Sequence, residues 1–178
     1  MKLHYPLCAS LLALAACSPP PPPAPPPAPV VRPAPPVTPA PPPVLRPSAN
    51  WPDWPLETGD WVYRRDERGS LALFGPTGQN AIVTLRCDTA RRRLYLARAG
   101  AGPAERMIVR TSSALKEFAV SPTGATPAYL ATEILPTDPI LDAMAFSRGR
   151  IALEVDGQQS IAIPSWAEIT RIMEDCRA

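Results

Sequence analysis

Histidine and lysine are scarce in this 178-residue sequence, and its N-terminal apolar run is short. His4 is the only histidine, and Lys2 and Lys116 are the only lysines. Basic and acidic residues nearly balance, with a formal net charge of +2, so bulk affinity for nucleic acid is not expected. The apolar run from Leu11 to Ala16 falls short of the roughly 20 residues that a membrane-spanning helix needs.

Residues 1–16 have the layout of a secretory signal peptide, with Lys2 near the start, a short apolar middle and small residues at the end. Cleavage of such a segment removes His4 and Cys8 from the mature protein. Without histidine, the mature chain can form no Ser-His-Asp triad, Cys-His dyad or histidine metal site. We therefore expect no metal, no cofactor and no histidine-dependent catalysis.

The sequence Leu14-Ala15-Ala16-Cys17 ends this segment and resembles the lipobox of bacterial lipoproteins. The resemblance implies cleavage before Cys17, acylation of its thiol and new amino group, and attachment to a membrane. Several acyl chains hold a protein firmly, because each buried methylene contributes about 0.8 kcal/mol. Ser18 is not the aspartate of the family's inner-membrane retention signal, which implies the periplasmic face of the outer membrane. A plain secretory signal that leaves Cys17 free is the alternative.

Residues 17–49 are almost entirely proline and alanine after Cys17, and only Arg32 and Arg46 are charged. Such a tract cannot bury a core and adopts extended polyproline II, at about 3.1 Å per residue. Thirty residues then reach about 90 Å, so we predict a stiff tether between the lipid and a domain. A PxxP ligand for an aromatic groove is the alternative.

Two cysteines, Cys87 and Cys176, remain once Cys8 is removed and Cys17 is acylated. In an oxidising periplasm they have one possible internal pairing, and two cysteines cannot build a thiolate metal cage. We predict a disulfide between Cys87 and Cys176. Two buried free thiols are the alternative.

Residues 50–178 are predicted to form a globular periplasmic domain that is mainly β (α+β). Short alternating segments dominate, such as the one from Ala81 to Cys87, in which every second residue is apolar. Asp156-Gly157 lies between two such segments and is the strongest hairpin signal. The pattern favours an antiparallel sheet, sandwich-like or partly barrelled.

Two short helices interrupt the strands. Asp138-Pro139 combines a helix N-cap with proline at the first helical position. Ser165 and Glu168 have the spacing of a capping box, in which each side chain binds the other residue's backbone N–H. The apolar residues after this box recur at helical spacing and include Cys176, so we expect the C-terminal helix to pack on the sheet.

Catalytic motifs are few. Ser113-Ala114-Leu115-Lys116 matches the S-x-x-K spacing of serine enzymes, which need serine and lysine one helical turn apart. Here the flanking residues predict strand or turn, so a chance match is favoured. The carboxylate pairs Asp138/Asp142 and Glu154/Asp156 are candidates for acid–base catalysis. Asp138 is better explained as a helix cap and Asp156 as a turn residue, and Asp142 and Glu154 as solvated side chains.

Two features are candidate binding surfaces. Arg91, Arg92 and Arg93 crowd one predicted hairpin, and arginine forks suit phosphate or carboxylate groups. A solvated hairpin tip is the alternative. Trp51 and Trp54 lie where the tether meets the domain. They suit stacking on a glycan or filling a partner's groove, or else they seal the edge of the domain.

The C-terminal third carries Ser147-Arg148-Gly149-Arg150, Pro164-Ser165-Trp166 and a final Glu174-Asp175-Cys176-Arg177. With these stretches, residues 51–177 look like a group of uncharacterised proteobacterial envelope proteins. The resemblance implies a shared fold and brings no activity with it. Arg148 is interpreted as complementing the dipole of the preceding helix, and Gly149 as allowing the chain to turn.

The sequence therefore predicts a lipid-anchored periplasmic protein with a non-catalytic domain. It would act as a binding or accessory module for an envelope protein or a cell-wall component, with no nucleic acid as partner. Two alternatives stay open: an envelope hydrolase that uses carboxylates alone, and a carrier of a small apolar ligand.

Overall fold

Residues 50–178, the part of the chain that this computed structural model describes, contain ten strands and two α-helices. The predicted signal segment, the predicted lipidation site at Cys17 and the predicted tether lie outside the described residues. The strands are β1 (Asp60–Asp66), β2 (Gly69–Gly75), β3 (Val83–Asp88), β4 (Arg93–Ala99), β5 (Arg106–Arg110), β6 (Leu115–Ala119), β7 (Ser121–Pro122), β8 (Tyr129–Ile134), β9 (Ile151–Val155) and β10 (Ile161–Ile163). The helices are α1 (Pro139–Ala145) and α2 (Ala167–Arg177), and a 3-10 helix (Trp51–Asp53) precedes β1.

These strands form two antiparallel sheets. The first sheet has the order β1-β2-β3-β4-β8-β7, and the second has the order β10-β9-β5-β6. β9 and β10 form the hairpin predicted at Asp156-Gly157, where Gly157 has a φ of +72°. The predicted fold class is confirmed: the domain is mainly β, with antiparallel pairing and a C-terminal helix packed on the first sheet.

Side-chain alternation explains how both sheets share a core. In β3, Val83, Leu85 and Cys87 are fully buried, whereas Thr84 and Arg86 on the opposite face are half-buried. Buried residues of both sheets and both helices belong to one contiguous apolar cluster. Hydrophobic contact therefore joins the two sheets, whose strand-to-strand backbone hydrogen bonds form separate ladders.

α1 begins as its sequence predicts. The side chain of Asp138 accepts a hydrogen bond from the backbone N–H of Ile140 at 3.1 Å, and Pro139 occupies the first turn. The cap satisfies an N–H that has no partner inside the helix, while proline loses no hydrogen bond at this position. Asp138 is thus a cap, as predicted.

The predicted capping box of α2 is wrong. The residue before the helix is Trp166, which makes no side-chain cap, and Ser165 lies one position too early. Its hydroxyl instead donates to the carbonyls of Met144 at 2.6 Å and Ala145 at 3.3 Å. The last carbonyls of α1 lack partners within their own helix. They accept the hydrogen bonds of Ser165, which the sequence pattern assigns to the cap of α2.

A disulfide joins Cys87 of β3 to Cys176 of α2, as predicted, with 5.4 Å between the two Cα atoms. Both residues are buried, Cys87 in the strand's inward face and Cys176 in the apolar stripe of the helix. The bond fastens the C-terminal helix across the first sheet. Within residues 50–178, neither helix has the length and apolar character needed to cross a membrane.

Candidate binding surface

The arginine hairpin of residues 91–93 connects β3 to β4 through a tight turn. Asp88 accepts a hydrogen bond from the backbone N–H of Arg91 at 3.0 Å, and this bond is the main cause of its lowered pKa. Arg92 has a φ of +51°, a left-handed conformation that is uncommon outside glycine. Within residues 50–178, its guanidinium contacts only the carbonyl of Arg177, at 3.4 Å.

Acidic side chains surround the two other arginines of this hairpin. Arg93 Nε donates to Glu133 Oε1 at 2.7 Å, across the β4–β8 pairing. The pKa of Arg91 is raised, first by its hydrogen bond and charge interaction with Tyr95 and then by the carboxylates of Asp88 and Glu133. Much of the positive charge at the hairpin is therefore compensated within the domain, and Arg92 is the member most available to a ligand.

Trp51 and Trp54 pack against the outward face of the second sheet. Trp54 is 7% exposed and belongs to a small apolar cluster with Ala152 and Ala162, against which Trp51 also packs. A guanidinium N–H of Arg150 donates to the Trp54 carbonyl at 2.6 Å. This burial favours the edge-sealing interpretation for Trp54, while Trp51 keeps part of its ring exposed.

Sequence reasoning missed a third surface, at the junction of α1 and α2. Phe146 is 77% exposed and Trp166 is 45% exposed. The hydroxyl of Ser165 donates to carbonyls at the end of α1, including that of Ala145. Phe146 directly follows Ala145, and Trp166 directly follows Ser165. These bonds hold the end of α1 close to the start of α2, so the chain positions of the two aromatic residues lie near each other. Arg148 belongs to the same region, and we call Phe146, Arg148 and Trp166 the aromatic surface.

Hydrogen bonds fix the backbone of the Ser147–Arg150 stretch. The buried hydroxyl of Ser147 donates to the Arg150 carbonyl and accepts from the N–H of Ser112 at 3.0 Å. Ser112 in turn accepts from the N–H of Arg148, also at 3.0 Å. Gly149 has a φ of +78°, which glycine adopts without strain. The aromatic surface is thus carried by a backbone held from several sides.

Arg148 does not complement the dipole of α1, contrary to the sequence interpretation. The helix ends at Ala145, and its last turn contains no basic residue. Arg148 lies past that turn, where its side chain is exposed and has no acidic partner within residues 50–178. The exposed guanidinium of Arg148, which has no partner within residues 50–178, is therefore available to a binding partner.

The carboxylates considered for catalysis are engaged elsewhere. Asp138 forms an ion pair with Lys116, the lysine of the S-x-x-K match. Ser113 precedes strand β6, so this serine and lysine do not lie one helical turn apart. Asp142 pairs with Arg177 at 2.8 Å.

The second pair is also held by basic residues. Glu154 pairs with Arg110, and Asp156 pairs with Arg106 at 3.2 Å. Within the described residues, no group of three or more histidine, cysteine or acidic side chains is placed to hold a metal ion.

Comparisons with known proteins give no further guide to function: no family model, curated protein or solved structure is significantly similar to the chain. The geometry of the described surfaces is therefore the basis for a functional proposal.

Proposed function

We propose that this protein is a lipid-anchored envelope module that docks a partner protein through the aromatic surface. The observation that carries the proposal is the exposure of Phe146 and Trp166 at the junction of α1 and α2, with the exposed Arg148, unpaired within residues 50–178, two residues after Phe146. Tryptophan and arginine are enriched among the residues that dominate the binding energy of protein interfaces, and phenylalanine is enriched at interfaces generally. Large apolar side chains on a rigid support lose little entropy on binding.

The chemistry of the surface defines the partner. Two aromatic side chains require an apolar pocket, and the guanidinium of Arg148 requires an acidic side chain at the rim of that pocket. An envelope protein with this combination fits better than a phosphate-rich ligand, because only one unpaired guanidinium belongs to the surface.

The anchor and the tether determine where docking takes place. An acylated Cys17 would hold the protein at the periplasmic face of the outer membrane. A polyproline tether of thirty residues would allow the domain to reach about 90 Å from that membrane. The domain would then bind a partner well inside the periplasm while remaining attached to the lipid.

The ion pairs of the carboxylates support a binding role over a carboxylate-only hydrolase. Asp138, Asp142, Glu154 and Asp156 are each ion-paired with a basic side chain, so each of these carboxylates already has a partner within the domain.

Cross-linked affinity purification from intact cells tests the proposal. Three forms of the full protein are compared: the unaltered chain, Phe146→Ala with Trp166→Ala, and the control Leu135→Ala. Leu135 is 50% exposed and lies just before α1, at the other end of that helix from Phe146. A partner that is recovered with the unaltered and Leu135→Ala proteins and lost with the double variant supports the proposal.

Two results would overturn docking at the aromatic surface. One is equal recovery of the partner by all three proteins. The other is loss of the partner on Arg92→Glu alone, which would transfer the function to the arginine hairpin. If substitution of one particular Asp or Glu abolished the function of the protein in the cell envelope, the hydrolase would instead be favoured.

A further inference from the structure

A cleft on the outward face of the first sheet has no part in the proposed docking. Its volume is about 380 Å³, and its lining includes Asp60, Val62, Arg64, Leu73, Tyr129 and residues 75–81. We call it the turn cleft, because the turn between β2 and β3 forms one of its walls. Pockets that bind small molecules typically have volumes of about 300–1,000 Å³, so this cleft suits a small ligand.

Rigid backbone contacts build that wall. A Cβ on Gly75 would lie 3.1 Å from the nitrogen of Ile82 and 3.2 Å from the Cα of Ala81, so the chain packs here as only glycine allows without displacement. The hydroxyl of Tyr129 donates to the Ala81 carbonyl at 2.6 Å, and burial raises the pKa of this hydroxyl, which keeps its proton in place. The cleft is therefore formed before any ligand binds.

Five polar side chains of the turn cleft have no partner within residues 50–178. They are the carboxylate of Asp60, the guanidinium of Arg64, the hydroxyl of Thr77 and the amides of Gln79 and Asn80. Elsewhere on the domain, many of the charged side chains are ion-paired. Asp60 and Arg64 do not pair because they lie four residues apart on one face of β1, about 13 Å between Cα atoms.

Charge and polarity thus change along the floor of the cleft. Asp60 is at one end and Arg64 at the other, and between them Val62, which is 46% exposed, pairs across the strands with Leu73. A matching ligand carries a cation, an apolar middle and an anion in that order. An extended tripeptide spans about 10 Å. This length matches the distance between the two charged groups when the side chains of Asp60 and Arg64 reach inward from Cα atoms about 13 Å apart.

We propose that the turn cleft binds a short extended peptide with a free ammonium at Asp60, a free carboxylate at Arg64 and an apolar central residue. The amides of Gln79 and Asn80 hydrogen-bond the peptide groups between the two ends. This inference goes beyond the proposed docking function, because no residue of the aromatic surface takes part.

Isothermal titration calorimetry of the full protein in detergent micelles tests the proposal with Ala-Leu-Ala as the probe. Binding should weaken about tenfold when the peptide's amine is acetylated, and again about tenfold when its carboxylate is amidated, because each block removes one charge-assisted contact. Asp60→Asn should abolish the effect of acetylation alone, and Arg64→Gln should abolish the effect of amidation alone.

Glu67→Gln is the matched control, since it removes an exposed carboxylate that lies outside the cleft and has no partner within residues 50–178. It should leave Ala-Leu-Ala binding unchanged. Both cleft variants alter exposed side chains without partners, so urea unfolding should show that they fold like the unaltered protein. Absence of any binding of Ala-Leu-Ala, or equal binding of the free and blocked peptides, would overturn the proposal. Binding that survives both cleft variants would overturn it as well.

Discussion

Reduction of the disulfide between Cys87 and Cys176 should destabilise the domain by several kcal/mol. The bond closes a loop with a sequence separation of 89 residues. In the chain-entropy treatment, a loop of this length restricts the unfolded chain by about 4.6 kcal/mol at 25 °C. Native disulfides typically contribute about 2–5 kcal/mol, so we expect a loss in this range. Small domains have only about 5–15 kcal/mol of stability in total, and the loss is therefore a large fraction of it.

Urea unfolding followed by tryptophan fluorescence measures this loss. Reduced protein retains both buried sulfurs, so its comparison with the oxidised protein isolates the effect of the covalent link. Cys87→Ala with Cys176→Ala adds the cost of the cavity left by the sulfurs, because both positions are buried. The double variant should thus be less stable than the reduced protein. An unfolding midpoint that is the same in oxidised and reduced protein would show that the covalent link does not stabilise the domain.

Three further predictions concern single side chains. Two hydrogen bonds from Arg86 lower the pKa of Asp66 from 3.8 to about 2. Their stabilisation is therefore present above about pH 4 and is lost as the pH falls through about 2. Asp66→Asn should thus lower the urea midpoint at pH 7 and lower it much less at about pH 2. An equal effect at both pH values would contradict this. Asp138→Ala removes the cap of α1 and the partner of Lys116, and should cost about 1–2 kcal/mol in thermal unfolding. Asp138→Asn keeps the cap and loses only the charge, so it should cost less. Equal losses would show that the ion pair with Lys116, and not the cap, accounts for the stabilisation. Ser147→Ala leaves two backbone groups without their partner and should cost about 1–3 kcal/mol in urea unfolding, and an unchanged midpoint would show that the stretch does not depend on this hydroxyl.

Local patterns in the sequence predict much of the fold. The period of two places Cys87 on the inward face of its strand, and the helical period places Cys176 on the apolar stripe of α2, which together predict the disulfide. Asp138-Pro139 and Asp156-Gly157 likewise identify a helix start and a hairpin, because caps and tight turns depend on a few adjacent residues.

Contacts between distant parts of the chain account for what the sequence does not predict. The charge of Arg93 is compensated by Glu133, which lies beside it only because β8 pairs with β4. Ser165 has the sequence context of a cap, but the end of α1 competes for its hydroxyl. The exposure of Phe146 is likewise invisible in a local pattern, since an aromatic residue after an apolar helix is usually expected in the core.

The turn cleft illustrates the same limit. Gly75 ends β2, and Tyr129 begins β8, much later in the sequence. Their contact through the Ala81 carbonyl depends on the order of strands in the first sheet. Sequence spacing places Asp60 and Arg64 on one face of β1, yet it does not reveal that neither side chain has a partner.

Site-specific photo-cross-linking in intact cells tests whether the aromatic surface contacts a partner protein. A photoreactive phenylalanine analogue is placed at Phe146 in the full protein, and in a second strain at Leu135, which is exposed at the other end of α1. Our account predicts a discrete cross-linked species with one envelope protein from position 146 that is absent from position 135 and disappears on Trp166→Ala. Absence of a cross-link at position 146, or the same species from both positions, would contradict docking through the aromatic surface.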